Sequence, residues 1–323
     1  MAQQSKEKIN WDGYLTLAGA ILIVLVNVLL ISGKMPAYYR GILGFVGINI
    51  ILAVSLNLIN GITGQFSLGH AGFMAIGAYV SALISIHLKW PLYLALICGG
   101  LAAAFLGIVI GLPTLRLKGD YLAIATLGMG EIIRVVLLNL DITKGARGLT
   151  GIPRTTSIYL VELVAFITII FMVNLMRSTH GRALLSIRED EIAAEAMGIN
   201  VTYYKVFAFA TGAFFAGVAG GLFAHLMGYI APKNFDFMRS IEILVMVVLG
   251  GLGSITGSVI ATIVLTILPE ALRGFAEYRM VLYSALLIVI MLFRPQGLMG
   301  TRELQIEEVR KIFSGGGDKD ARD

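Results

Sequence analysis

The feature that most limits how this chain can fold is a succession of apolar runs, most of them long enough, or nearly so, to cross a lipid bilayer. A helical span needs about 20 apolar residues, and roughly ten such stretches follow one another along the 323 residues. They are drawn at 14–31, 41–60, 71–86, 91–112, 121–140, 158–176, 206–227, 240–249, 259–272 and 279–293. Inside a bilayer every backbone amide must be satisfied within the chain, which leaves helices or a closed barrel. Runs of this length select helices. Charged residues make up 14% of the chain, against about a quarter in soluble domains, and the mean hydropathy is +0.85. The expected fold class is therefore all-α, a polytopic membrane helix bundle of about ten transmembrane helices.

The domain organisation follows: a tail at 1–12, one transmembrane domain at 13–293 and a solvated tail at 294–323. The first run is longer than a secretory signal core and is followed by Lys34, Met35 and Pro36, so it is kept as a span. Thirty-eight glycines suit helices packed backbone to backbone. The net charge of +5 needs no nucleic acid to explain it, because basic residues flanking spans produce the same balance. The single Cys98 lies in an apolar run and excludes a disulfide framework.

Two glycine-rich stretches interrupt the apolar pattern. The first, GITGQFSLGH at 61–70, carries Gly64, Gln65, Ser67 and His70; Asn57 and Asn60 precede it at the end of the second run. The second, GGLGSITGS at 250–258, carries Gly251 and Ser254. Broken helices offer unpaired backbone groups to a solute, which makes both stretches candidate gates or path linings. Glycines that merely permit close helix crossing give the same pattern. The fifth run contains Glu131 and Arg134, three apart on one helical face, with Thr126 nearby. Unpaired in a bilayer these charges are costly. They either line a polar cavity, meeting the amino and carboxylate groups of a solute, or form a structural pair. Glu162, His225 and Glu242 sit near run ends and read as interfacial.

One long polar segment, residues 177–205, divides the apolar runs into two groups. Its charged residues are Arg177, Arg182, Arg188, Glu189, Asp190, Glu191, Glu195 and Lys205. Residues 184–197 have the composition of a single short helix, with Gly198 and Asn200 as its stop. Ten spans place this segment and both termini on one side. That side carries 14 lysines and arginines against 10 opposite, six of the 14 in the last tail, so the bias points to the cytoplasm.

The sequence GRALLSIREDEIAAEAMGIN resembles the cytoplasmic coupling loop of permeases in bacterial ATP-binding-cassette importers, and in particular the LivM-type branched-chain amino-acid permeases. Ala193, Ala194 and Gly198 hold the loop's usual spacing, while Ile192 stands where many such loops have glutamate, with Glu191 and Glu195 beside it. GITGQFSLGHAGF resembles the family's signature after its second span, and the likeness extends over about 41–299. The resemblance implies the ten-helix arrangement of cobalamin-type importers, with the fifth span as the enclosed central helix. It also implies a homologous LivH-type permease partner and two ATPase subunits gripping the loop at 188–198. A periplasmic or extracellular binding protein would deliver the cargo in a bacterial inner membrane. The cargo would be branched-chain or related amino acids, with urea or short amides as the alternative within the class.

His70, His87, His180 and His225 are scattered without metal-ligand spacing. GGLGSITGS lacks the lysine of a phosphate loop, so ATP and Mg would belong to partner subunits and this chain would bind no cofactor. A secondary transporter or channel is the rival from another class. It needs a titratable cluster within the spans, and only Glu131 is an evident mid-span acid. An intramembrane enzyme finds no nucleophile–base or aspartyl pair.

Overall fold

The computed structural model describes residues 36–272 except Lys118, together with Ser284, Ile288, Leu292 and Gly297. The runs expected at 14–31 and 279–293 and the two tails lie outside the described residues, isolated positions apart. Among the described residues six helical stretches are long and apolar enough to cross a membrane: Tyr38–Ile62, His70–Leu88, Leu92–Thr114, Asp120–Asn139, Ile158–Arg177 and Val201–Met227. We number the helices α1 (Ala37–Asn57, continued by a π turn at Leu58–Ile62), α2 (His70–Leu83, continued by a π turn at Ile84–Leu88), α3 (Leu92–Thr114), α4 (Asp120–Asn139) and α5 (Ile158–Arg177). There follow α6 (Thr179–Glu189), α7 (Glu191–Ala196), α8 (Val201–Met227), α9 (Phe237–Gly250) and α10 (Ile255–Ala271). At 14 and 17 residues, α9 and α10 reach only about 21 and 25 Å, short of a bilayer core of about 30 Å.

Capping residues fix where the helices begin. Ser157, Ser178, Asp190, Asn200, Asp236 and Ser254 each accept a backbone N–H in the first turn of the helix they precede. Asn200 starts α8 five residues ahead of the apolar run read from 206. Ser254 shortens the second break to 251–254, and the π turn carries α1 through Gly61. One short antiparallel ladder pairs Leu149–Thr150 with Tyr229–Ile230. It joins the two loops at the far end of α5 and α8 from the polar segment.

Helices α2, α3 and α8 pack through small residues. Gly217 lies so close to Gly99 and Ala103 that an added Cβ would sit 2.6 Å from the Ala103 methyl and 2.9 Å from the Gly99 carbonyl. His225, read from sequence as interfacial, is fully buried here. Its Nδ1 is 2.9 Å from the Gly221 carbonyl and its Nε2 2.8 Å from the Ser85 hydroxyl, joining α8 to α2.

Two further expectations are corrected. The enclosed helix is α1 and not the fifth run: 83% of the most apolar stretch of α1 is buried, against 28% for α4. The reason is compositional, since α4 turns Tyr121, Ile124, Ile132, Val135 and Val136 outward. The polar segment is two helices rather than one. Asp190, extended at φ −155°, breaks the chain there, and its carboxylate caps α7 through Ile192 N–H (2.9 Å) and Ala193 N–H (3.0 Å).

Candidate functional site: where two glycine breaks meet the polar projection

The two breaks, about 190 residues apart in sequence, touch in space. A Cβ on Gly253 would lie 3.4 Å from the Gly61 carbonyl oxygen. Two buried asparagines, one turn apart at the end of α1, hold this junction. Asn57 donates from Nδ2 to the Ser254 carbonyl (2.9 Å) and accepts from Gly253 N–H (2.9 Å). Asn60 does the same for Ser67, donating to its carbonyl (3.2 Å) and accepting from its N–H (3.1 Å). Each side-chain amide thus satisfies the backbone of one break, as a neighbouring strand would. The π turn at Leu58–Ile62 adjusts the helix at this point.

The first break is tied down along its length. Leu68 N–H donates to Thr126 Oγ1 (3.0 Å), and Ala71 N–H donates to Ser240 Oγ (3.2 Å), so α4 and α9 both hold the start of α2. His70 Nε2 lies 2.9 Å from Ser55 Oγ, which in turn donates to the Leu52 carbonyl (3.0 Å). Three buried polar atoms at this break have no protein partner among the described residues: both ends of the Gln65 amide and His70 Nδ1. Gly64, at φ +71°, makes the turn that a side chain would strain.

The polar projection is built as an elbow. Ile187, Ala194 and Val201 form its buried heart, with Ile199 and Tyr204 against them. α7 ends in a Schellman arrangement: Gly198 N–H donates to the Glu195 carbonyl (2.9 Å), and Ile199 N–H to that of Ala194 (3.1 Å). Gly198 has the positive φ, +85°, that this ending demands. Glu191 is paired with Lys205 at 2.9 Å, which ties the start of α7 to α8. Glu189, Asp190, Ala193, Glu195 and Gly198 are exposed, Ala194 is buried, and Ile192 and Met197 expose 75% and 84% of their surface.

Arg188 departs from that exposed set. It is half-buried at the end of α6, and a Cβ on Gly64 would lie 3.3 Å from its Cγ. A Cβ on Gly253 would lie 2.5 Å from its Nη1, so its side chain reaches both breaks.

Glu131 and Arg134 sit apart from this junction. They pair with each other at 2.7 Å on α4, each about a third exposed. Glu131 also borders a small crevice with Leu68, Gly72, Asp236 and Ser240. The structure therefore brings together Arg188, Asn57, Asn60, Gly64, Ser67, Gly251 and Ser254, with Gln65, His70 and Thr126 alongside. It leaves Glu131 and Arg134 on a separate face. Sequence reading did not single out Ser55 or Ser240, and it read Glu242 only as interfacial, not as the end of a chain in which Asn49 donates to Thr266 (3.0 Å) and Arg239 bonds both Asn49 and Glu242. Which partners such groups meet across helices carries no spacing signal. Among the described residues no group of three or more His, Cys, Asp or Glu is placed to hold a metal.

The model of the family described as branched-chain amino acid transport system / permease component matches residues 38–292. The chain belongs to this family. It is similar to the high-affinity branched-chain amino acid transport system permease protein LivM of Salmonella typhimurium and of Escherichia coli, 38% identical to each over 268 residues. Those alignments cover 72% of this chain and 63% of each relative, so the chain spans less than two thirds of their length. The permease protein LivH of Escherichia coli is 35% identical over 155 residues, covering 47% of this chain and 50% of that protein. No solved structure matches. Members of the permease family are transport proteins rather than enzymes, and with six apolar helices of spanning length among the described residues this member is a multi-pass membrane protein.

Proposed function

We propose that the chain is the transmembrane permease subunit of an ATP-driven importer and forms half of the path for branched-chain or related amino acids. The cargo class follows the names of its relatives. The observation that carries the reading is the exposed apolar pair Ile192 and Met197, standing on a rigid polar elbow. Two large apolar side chains exposed among charged residues offer a footing for a covering partner. A cytoplasmic ATPase subunit, seated on Ile192, Ala193, Met197 and the flanking Glu189 and Glu195, supplies it. ATP and Mg are then used by that subunit and not by this chain.

Glu131 and Arg134 support the second half of the reading. A charged pair facing lipid is expensive, so the open face of α4 looks onto a homologous LivH-type permease, or onto the watered path between the two subunits. The architecture is the ten-span, cobalamin-type one, in a bacterial inner membrane with projection and termini inside. A binding protein delivers the cargo from outside, at the end where Leu149–Thr150 pairs with Tyr229–Ile230.

The test is co-expression with the cognate partner permease, ATPases and binding protein. The wild-type complex is expected to co-purify and to take up amino acid only with ATP. Ile192→Asp combined with Met197→Asp is expected to insert normally, shed the ATPase and lose uptake. Uptake by the purified chain in vesicles without any ATPase would overturn the reading.

A further inference from the structure

We propose that Arg188 is the transmission residue of this permease: it passes motion of the polar projection to both glycine breaks at once, and it takes no part in gripping the ATPase. The inference rests on the reading of the chain as an importer subunit and assigns one residue a role within it.

Its position argues for this. The exposed residues of the elbow point away from the bundle, whereas the Arg188 side chain runs inward and lies against Gly64 of one break and Gly253 of the other. Both contacts are with glycine, so backbone meets arginine with no flexible side chain between to absorb a displacement. The two breaks also touch each other through Gly61 and Gly253, so whatever moves one moves its neighbour.

The electrostatics agree. Two helices end here: α1, through its π turn, at Ile62, and α9 at Gly250. The carbonyl ends of helices carry partial negative charge and favour a cation. Arginine keeps its charge in any surroundings and offers five donors in a fixed fork. Among the described residues its guanidinium makes no hydrogen bond or ion pair, so its donors stay available to break carbonyls when α6 shifts.

The lever is short and stiff. Arg188 stands four residues before the exposed Ile192, across the Asp190 corner. The elbow is bound as one body by the Ile187–Ala194–Val201 cluster and by the Glu191–Lys205 pair. A push on α7 therefore displaces the end of α6, and with it the side chain lying on the breaks. The asparagine clamps keep each break intact while it moves: Asn57 carries the second, Asn60 the first.

The experiment uses the complete importer in proteoliposomes, with saturating loaded binding protein, and reads amino acid taken up per ATP hydrolysed. Wild-type ATP-dependent uptake is the control that tests the importer reading itself. Arg188→Ala is expected to co-purify in full with the ATPases and to hydrolyse ATP within about twofold of wild type. Its uptake per ATP should fall at least about tenfold. Arg188→Lys, which keeps the charge but not the fork, should recover part of the ratio. Arg188→Ala with a wild-type ratio overturns the proposal. Should Arg188→Ala fail to assemble, Arg188→Lys decides. Assembly with a lowered ratio supports transmission. Loss of the ATPase from Arg188→Lys as well makes Arg188 a docking contact, and a wild-type ratio makes it a bystander; either overturns the proposal.

Discussion

The end of α1 and the open face of α4 solve the same problem in opposite ways. Both place polar groups in helices that are otherwise apolar. On α1 the groups are uncharged amides, buried, with Asn57 and Asn60 each bonded twice to the backbone of a glycine break. On α4 they are charges, a third exposed, bonded to each other within one turn. A neutral amide can be satisfied by backbone already in the chain, and so it fixes internal shape. A charged pair on an apolar surface is satisfied only in part from within, and its remaining hydration has to come from outside the subunit. The first arrangement specifies how this chain folds, the second what it faces.

Replacing Asn57 by leucine is the severest test of that division. The change strands the half-buried Gly253 N–H, at about 1–3 kcal/mol for a group left unsatisfied away from water, and takes one donor from the Ser254 carbonyl, which keeps Ser258 N–H and Oγ. The expected outcome is a loss of folded protein in detergent, read as a large fall in the unfolding midpoint or as aggregation on size exclusion. A variant with a wild-type midpoint would show that the clamp is dispensable and that the breaks are held by packing alone.

The α4 pair is expected to behave differently. Exposed pairs contribute about 0–1 kcal/mol, so changing both Glu131 and Arg134 to glutamine should leave the midpoint nearly unchanged while uptake falls. Arg134→Gln alone leaves a lone carboxylate in the bilayer, at roughly 2.5–3.5 kcal/mol on insertion scales, and should be less stable than the double variant. A double variant as unstable as Asn57→Leu would make the pair a folding element like the amides. Full uptake by the double variant would remove it from the path.

Much of this was legible in the sequence, and what was not has a physical reason. Residue spacing located both breaks, the two asparagines, the polar projection and the glycine stop at Gly198, because glycine, asparagine and charge in apolar runs are conspicuous. Spacing does not report distance between breaks some 190 residues apart, so the Gly61–Gly253 contact and the reach of Arg188 needed the fold. The single helix expected at 184–197 failed on one residue: Asp190 is as good a helix cap as it is a charged surface residue, and its carboxylate chose the cap. The expectation that α4 is enclosed came from the resemblance, which placed the charge-bearing fifth span at the centre. The enclosed helix proved to be α1, whose polar groups are amides that the chain itself can satisfy.

A small single-site effect is expected at the Glu191–Lys205 pair, which stands between the two cases. Lys205 is nearly buried and Glu191 a third exposed, and the bond joins α7 to α8 rather than two residues of one turn. Lys205→Met should cost about 1 kcal/mol, since pairs open to water on one side lie near the exposed range and Glu191 keeps a further interaction. That is roughly 2–4 °C in the unfolding midpoint of a domain of this order. If the elbow moves as one body, the same substitution should lower uptake per ATP by more than it lowers stability, because α7 would then slip against α8 without carrying Arg188. An unchanged ratio beside a lowered midpoint would confine the pair to folding, leaving the Ile187–Ala194–Val201 cluster as what makes the elbow rigid.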